Sequence, residues 1–155
     1  MLSGFAGGEA AEACFVENLR YAADAAAPRG HTILIEPLNH HDAPGYFLNH
    51  TEKARRIIEA VGAPNLKLMF DCYHIQILEG DLTRRIDANL DITGHIQFAG
   101  VPSRGRPDMG EVNYAHIFAH LAARGYDAPL GAEYRPEAGD TLSLIHISEP
   151  TRHKT

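Results

Sequence analysis

Short apolar runs alternate along this chain with helical segments, and each run closes on or near a polar side chain. No other feature restricts the fold as much. The runs are TILIE at 32–36, LKLMFD at 66–71, GHIQFA at 94–99 and PLGAEY at 129–134. Residues 9–27 place Phe15, Leu19, Ala22 and Ala23 at helical spacing before Pro28-Arg29-Gly30 ends the pattern. Residues 51–60 carry Ala54, Ile57 and Ile58 on one face and are stopped by Gly62-Ala63-Pro64. A polar amphipathic segment at 81–91 and another at 113–125, closed by Gly125, complete the set. Strands alternating with helices of this length are βα units, and consecutive βα units build a parallel sheet. The spacing predicts an α/β fold with four parallel strands.

Glu36, Asp71, Gln97 and Glu133 stand at or near the C-terminal ends of those strands, 35, 26 and 36 residues apart. A βα unit takes roughly 30 residues, so one such side chain recurs per unit. In a parallel barrel or a doubly wound sheet the C-terminal strand ends share one face, and that face carries the active site. Taken singly, a strand-end acid is more often a cap or a solvated loop group than a ligand. Taken in register, the four read as one site, because several buried carboxylates without a counter-charge cost several kcal/mol. Three carboxylates and an amide are all oxygen donors, which suits Mg²⁺ or Mn²⁺ better than a thiolate-seeking metal.

Composition narrows the function classes. Of the 155 residues 45% are apolar, enough for a core, and 20 Asp plus Glu against 14 Lys plus Arg leave a net charge of -6. An acidic chain is a poor nucleic-acid binder, which needs a basic face. Cys14 and Cys72 are far apart and out of any metal-ligand spacing, so a reduced, cytoplasmic chain is expected, without a disulfide framework or zinc–thiolate site. No apolar run approaches the roughly 18 residues that span a bilayer, and the first residues lack the basic and apolar regions of a signal peptide.

The strings LIEPLNHHDAPGY, FDCYHIQILEGDL, GHIQFAGVPSRGRPDMGEVNY and GAEYRP, in that order, resemble segments of the hydroxypyruvate isomerase family within the xylose-isomerase-like TIM-barrel superfamily. The resemblance runs from about residue 13 to 140. It implies the C-terminal half of a (β/α)8 barrel, truncated, in which Glu36 and Glu133 are the catalytic acid/base pair. It further implies that Glu36, Asp71, Gln97 and Glu133 surround a divalent metal and that His74 contacts substrate. Gln97 stands where related epimerases usually carry histidine, which favours the hydroxypyruvate isomerase branch. The implied reaction interconverts hydroxypyruvate and tartronate semialdehyde through an enediolate. Two carboxylates can move the proton, and a cation can stabilise the developing oxyanions.

Several residues stay open. Arg104 and Arg106, in the loop SRGRPDMGE, offer a fork for a substrate carboxylate, with Arg104 the candidate for substrate binding; a basic Gly/Pro-rich loop is otherwise simply solvated. Glu111 either caps the helix at Asn113 or touches a ligand. His40 and His41 are expected beside the pocket or exposed, and His95 as a pocket wall. His116 and His120, four apart on a helix, are expected on the surface. The half-barrel reading sets the domain at 1–141. LSLIHISEPTR at 142–152 departs from the family pattern and reads as a translated sequencing-library adapter, so 142–155 is expected to be a non-native tail. A half barrel has two unpaired edges and an open inner face, which invites self-association. The rival functions are a keto-sugar 3-epimerase, a 2-oxo-tetronate isomerase, a zinc-dependent DNA-repair endonuclease, disfavoured by the acidic charge, and an inert fragment.

Overall fold

A computed structural model describes residues 9–136. The expected tail at 142–155 and the end of the expected 1–141 domain lie outside the described residues. The elements are α1 (Glu9–Ala26), β1 (Ile33–Ile35), α2 (Thr51–Val61), β2 (Leu66–Asp71), α3 (Cys72–Leu78), α4 (Leu82–Asn89), β3 (Thr93–Phe98), α5 (Tyr114–Ala123) and β4 (Leu130–Ala132). All strand pairs are parallel and the sheet order is β1-β2-β3-β4. The α/β architecture read from the sequence is the one observed.

Strand periodicity sorts the side chains between two faces. Ile35, Leu66, Leu68, Phe70, Ile96 and Phe98 lie on one face, where they are buried against Leu19 of α1, Ile57 and Ile58 of α2, Ile86 of α4, and Ile117 and Leu121 of α5. Each such side chain removed from water contributes about 1.5–3 kcal/mol, so this layer dominates the stability. The alternate residues Leu34, Lys67, Met69, His95 and Gln97 lie on the opposite face and are only half-buried.

The sequence reading places no helix between 71 and 81, yet α3 starts directly after β2. Its residues, CYHIQIL, are mostly aromatic or β-branched and favour helix weakly. What starts it is Asp71, whose carboxylate accepts a hydrogen bond from the Tyr73 N–H at 2.9 Å as an N-cap. Asp71 thus ends a strand and begins a helix, a dual role that strand periodicity alone conceals.

The start of α2 is capped from a distance. His50, in the N-cap position, makes no side-chain cap. Instead the buried Glu79 carboxylate, just after α3, accepts from the Thr51 N–H at 2.6 Å and the Thr51 hydroxyl at 2.9 Å, and Arg85 pairs with it at 3.1 Å. This clamp joins the end of α3 to the start of α2 and so fixes the C-terminal end of the 36–50 segment. Glu79→Ala leaves the buried Thr51 groups unpaired, with an expected loss of about 1–3 kcal/mol. Urea unfolding measures it, and an unchanged midpoint would contradict the clamp.

Candidate active site

Parallel register carries the four strand-end residues to one rim. Asp71 closes β2 and lies opposite Gln97 of β3, which in turn lies opposite Gly131 of β4. Glu36 and Glu133 follow one residue beyond β1 and β4. A Cβ at residue 131 would stand 2.7 Å from His95 Nε2 and 3.3 Å from Gln97 Cγ, so the glycine gives both side chains their room.

The short helix α3 adds His74 to this rim. His74 Nε2 is 3.8 Å from Glu36 Oε1 and 3.8 Å from Asp71 Oδ2, and the three residues offer atoms within 4.8 Å of one another. Glu36 Oε1, Asp71 Oδ2, His74 Nε2 and Gln97 Oε1 are all buried without a hydrogen-bond partner. Buried polar atoms in proteins are normally paired. Four unpaired ones on one rim, three of them oxygens, fit a hard cation with a polar ligand beside it. Glu133 belongs to the same rim but not to this tight cluster; its side chain is 52% exposed and its Oε2 lies 3.1 Å from Arg104 Nη2.

Electrostatics make the crowding explicit. Burial, with the nearby Asp71 and Glu133 carboxylates, pushes Glu36 up to about 8. Burial likewise raises Asp71 to about 6, against the opposing Tyr73 N–H bond and the Arg104 charge. Burial and then the Arg104 guanidinium hold His74 down to about 4. At neutral pH and without a cation, His74 is uncharged and Glu36 keeps its proton.

Arg104 is placed by a loop folded tightly on itself. Gly100 N–H donates to Gly105 O at 2.8 Å and Glu111 N–H to Val101 O at 3.0 Å. A side chain at Gly100 or Gly110 would collide with backbone carbonyls of the same loop. Arg104 itself adopts φ 55°, and its carbonyl accepts from the Arg135 N–H at 2.7 Å, tying the loop to the segment after Glu133. The guanidinium sits 5.1 Å from the Tyr73 ring, 3.2 Å from Asp42 Oδ2 and 3.9 Å from Asp71 Oδ2 as well as beside Glu133. The other arginine of that loop, Arg106, pairs with Asp108 at 2.6 Å.

Two rim residues escaped the sequence reading. Asn39 is fully buried and accepts on Oδ1 from the N–H groups of His41 and Asp42, each at 3.0 Å. Asp42 anchors Arg104, and hydrogen bonds from Tyr73 and Asn39, with the Arg104 charge, outweigh burial and hold its carboxyl below the usual range. Asn39 and Asp42 sit in LNHHD, where an Asx-turn signal was available but the adjacent histidines drew the attention. His40 and His41 are exposed, their rings tilted 45° to each other with centroids 4.1 Å apart. Glu111 does not cap α5: Asn113 does, accepting from the His116 N–H, while Glu111 accepts from Gln76. His95 is half-buried on the sheet face below Gln97, as a wall residue would be. His116 and His120 are outside the site, bound to Thr83 and Asp87.

The family model for the xylose isomerase-like TIM barrel matches residues 1–150. The chain belongs to that family. It is 51% identical over 132 residues to the 2-oxo-tetronate isomerase of Cupriavidus necator, covering 85% of this chain and 51% of that one. It is 42% identical over 136 residues to the hydroxypyruvate isomerase of Escherichia coli K12, covering 88% and 53% respectively. A crystal structure described as an AP endonuclease, family 2, from Brucella melitensis superposes with a TM-score of 0.82 at 45% identity, over 84% of this chain and 50% of that one. The chain spans about half the length of the curated relatives it matches. Four parallel βα-type strands are half of an eight-stranded barrel, and the rim described above is the C-terminal face on which such barrels carry their sites. No described helix is long and apolar enough to cross a membrane.

Site crowding has a measurable cost. At pH 6.5 His74 is neutral in the folded chain and, with an ordinary value of 6.5, half-protonated in the unfolded one, so the loss of that half proton opposes the Glu36 effect by only about 0.4 kcal/mol. The unfolded chain has by then lost the Glu36 proton, whose ordinary value is 4.5, while the folded chain holds it to about 8. The folded state binds more protons on balance, so cation-free stability falls as pH rises from 6.5 to 8, by about 1 kcal/mol. Urea titrations in chelator across this range test it: Glu36→Gln flattens the profile, and a wild-type profile already flat would contradict the burial of this carboxyl.

Proposed function

We propose that this chain carries the acid/base half of a metal-assisted aldose–ketose isomerase acting on a short hydroxy-oxo acid, and that hydroxypyruvate and tartronate semialdehyde are its substrate pair. The observation that carries the reading is the set of four buried, unpartnered polar atoms on Glu36, Asp71, His74 and Gln97, with a second glutamate, Glu133, on the same rim. Proteins seldom leave such atoms unpaired unless something from outside completes them.

The oxygen-rich donor set fits Mg²⁺ or Mn²⁺, which Glu36, Asp71, Gln97 and Glu133 would hold. When bound, such a cation supplies the positive charge that lets neighbouring carboxylates ionise and that polarises a carbonyl. The rest falls to the chain's own side chains. Moving a carbonyl between adjacent carbons takes a proton off one and returns it to the other, with an enediolate between. Glu36 and Glu133 stand at the ends of β1 and β4, with Asp71 and Gln97 between them, so a small substrate on the rim meets one carboxyl from each side. His74 presents Nε2 to the same space and can donate to a substrate oxygen as charge builds on it. Arg104, now 3.1 Å from Glu133, offers its fork to the substrate carboxylate, which would compete with Glu133 for it.

A second reading, isomerisation of a four-carbon 2-oxo acid, is favoured by the 51% identity to a 2-oxo-tetronate isomerase against 42% to a hydroxypyruvate isomerase. It uses the same acid/base pair, with room for one more hydroxylated carbon. Proton NMR in D₂O with Mn²⁺ or Mg²⁺ present tests both, following loss of substrate signals and deuterium entry at the exchanging carbon. Conversion of one acid over the other selects the substrate. Glu36→Gln and Glu133→Gln are each expected to lower the rate about 10²–10⁴-fold, and a folded chain that converts neither acid contradicts the proposal.

A further inference from the structure

The His74 ring is held by a single residue in a way that bears on which cations this site accepts. The Asn39 N–H donates to His74 Nδ1 at 3.1 Å, and Asn39 Nδ2 lies 2.8 Å from the same nitrogen. The amide orientation is not arbitrary, because Asn39 Oδ1 already accepts two backbone N–H groups, which leaves Nδ2 as the donor toward the ring. A backbone N–H can only donate, so Nδ1 is an acceptor. The ring proton is therefore on Nε2, the atom 3.8 Å from both Glu36 and Asp71.

Metal-binding histidines have the opposite arrangement. The ligating nitrogen is bare, and the other ring nitrogen donates its proton to a carbonyl or carboxylate. Around His74 Nδ1 the structure supplies two donors and no acceptor. Proximity makes Glu36, Asp71 and His74 look like a three-residue ligand set, but the hydrogen bonds at the back of the ring deny the imidazole that part.

We propose that Asn39 is a positioning residue that locks His74 in the Nε2–H form, and that this lock keeps the imidazole out of the ligand set and reserves the rim for hard, oxygen-ligated cations. The inference rests on the cation-assisted reading above and deepens it. Imidazole would draw Zn²⁺ and other nitrogen-seeking ions to a site with two carboxylates beside it; an N–H donor in its place repels them and stays available to a substrate oxygen. The lock is itself rigid. Asn39 is fully buried, and its own carbonyl accepts from the Ala43 N–H at 2.9 Å, closing the turn that carries it.

Ring nitrogen–proton correlation NMR on the cation-free, ¹⁵N-histidine-labelled chain reads the tautomer directly, and calorimetry with Zn²⁺ and Mg²⁺ alone reads the selectivity. The wild type is expected to show the His74 proton on Nε2. Asn39→Asp replaces the side-chain donor at Nδ1 with a carboxylate oxygen, a charge-assisted acceptor that outweighs the one backbone N–H remaining there at 3.1 Å, so the proton is expected to move to Nδ1 and the Zn²⁺-to-Mg²⁺ affinity ratio to rise about tenfold or more. His74→Gln, which needs no change in the turn, is expected to leave that ratio unaltered. A wild-type proton on Nδ1, a proton that stays on Nε2 in Asn39→Asp, a moved proton with an unchanged ratio, or a tenfold loss of Zn²⁺ binding in His74→Gln would each overturn the inference. None of these readouts uses turnover, so a failed isomerase assay and a failed tautomer lock are separate results.

Discussion

Two carboxyl groups and a histidine whose ligand atoms lie within 4.8 Å, in a place where burial forbids them water, are the constraint around which this molecule is organised. Left alone, the cluster relieves itself by keeping a proton on Glu36 and none extra on His74. The proposed reaction needs one carboxyl able to receive a proton as the other gives one up, so Glu36 would also have to ionise in that place. A cation bound there would offset the mutual repulsion and the desolvation together. The partial remedy inside the chain is Arg104, which reaches Asp42, Asp71 and Glu133 from a single loop position. From there the guanidinium leaves Glu36 Oε1, Asp71 Oδ2 and Gln97 Oε1 without hydrogen-bond partners.

The scaffold serves this cluster by geometry more than by strength. Parallel register alone aligns Asp71 with Gln97 and Gly131, and helix α3, started by the Asp71 carboxylate, swings His74 over the strand end. The turn holding Asn39 and the loop holding Arg104 then close on the rim from the β1 and β3 sides. Glu79 fastens the far side by capping α2. Strands set the carboxylates, and loops set the groups that tune them.

How far this could be read from residues follows from the range of each interaction. Strand and helix periods are local, so β2 was legible residue for residue at 66–71, and α2 and α5 to within a residue or two. The recurrence of Glu36, Asp71, Gln97 and Glu133 was legible because one βα unit places one residue per strand end. Helix α3 was not, since its cap is a residue already claimed by a strand and its sequence favours helix weakly. Asn39 was not legible either: its importance lies in a contact with a histidine 35 residues away, and a lone asparagine in a polar turn gives no hint of that. The resemblance supplied a role for His74, but which of its nitrogens carries the proton depends on a hydrogen bond that no motif encodes. Glu133 shows the same limit from the other side, because its place in the sequence suggests an equal share of the cluster while its side chain stands apart with Arg104.

The central claim is that the rim cluster binds one hard divalent cation through its carboxylates. Titrating Mn²⁺ into the chain while following water-proton relaxation measures that binding without any substrate. The account predicts a single site that weakens strongly in Asp71→Asn and in Glu36→Gln, tightens between pH 6.5 and 8 as Glu36 gives up its proton, and survives His74→Gln. Mn²⁺ binding that is absent, or that persists unchanged in both carboxylate variants, would contradict it.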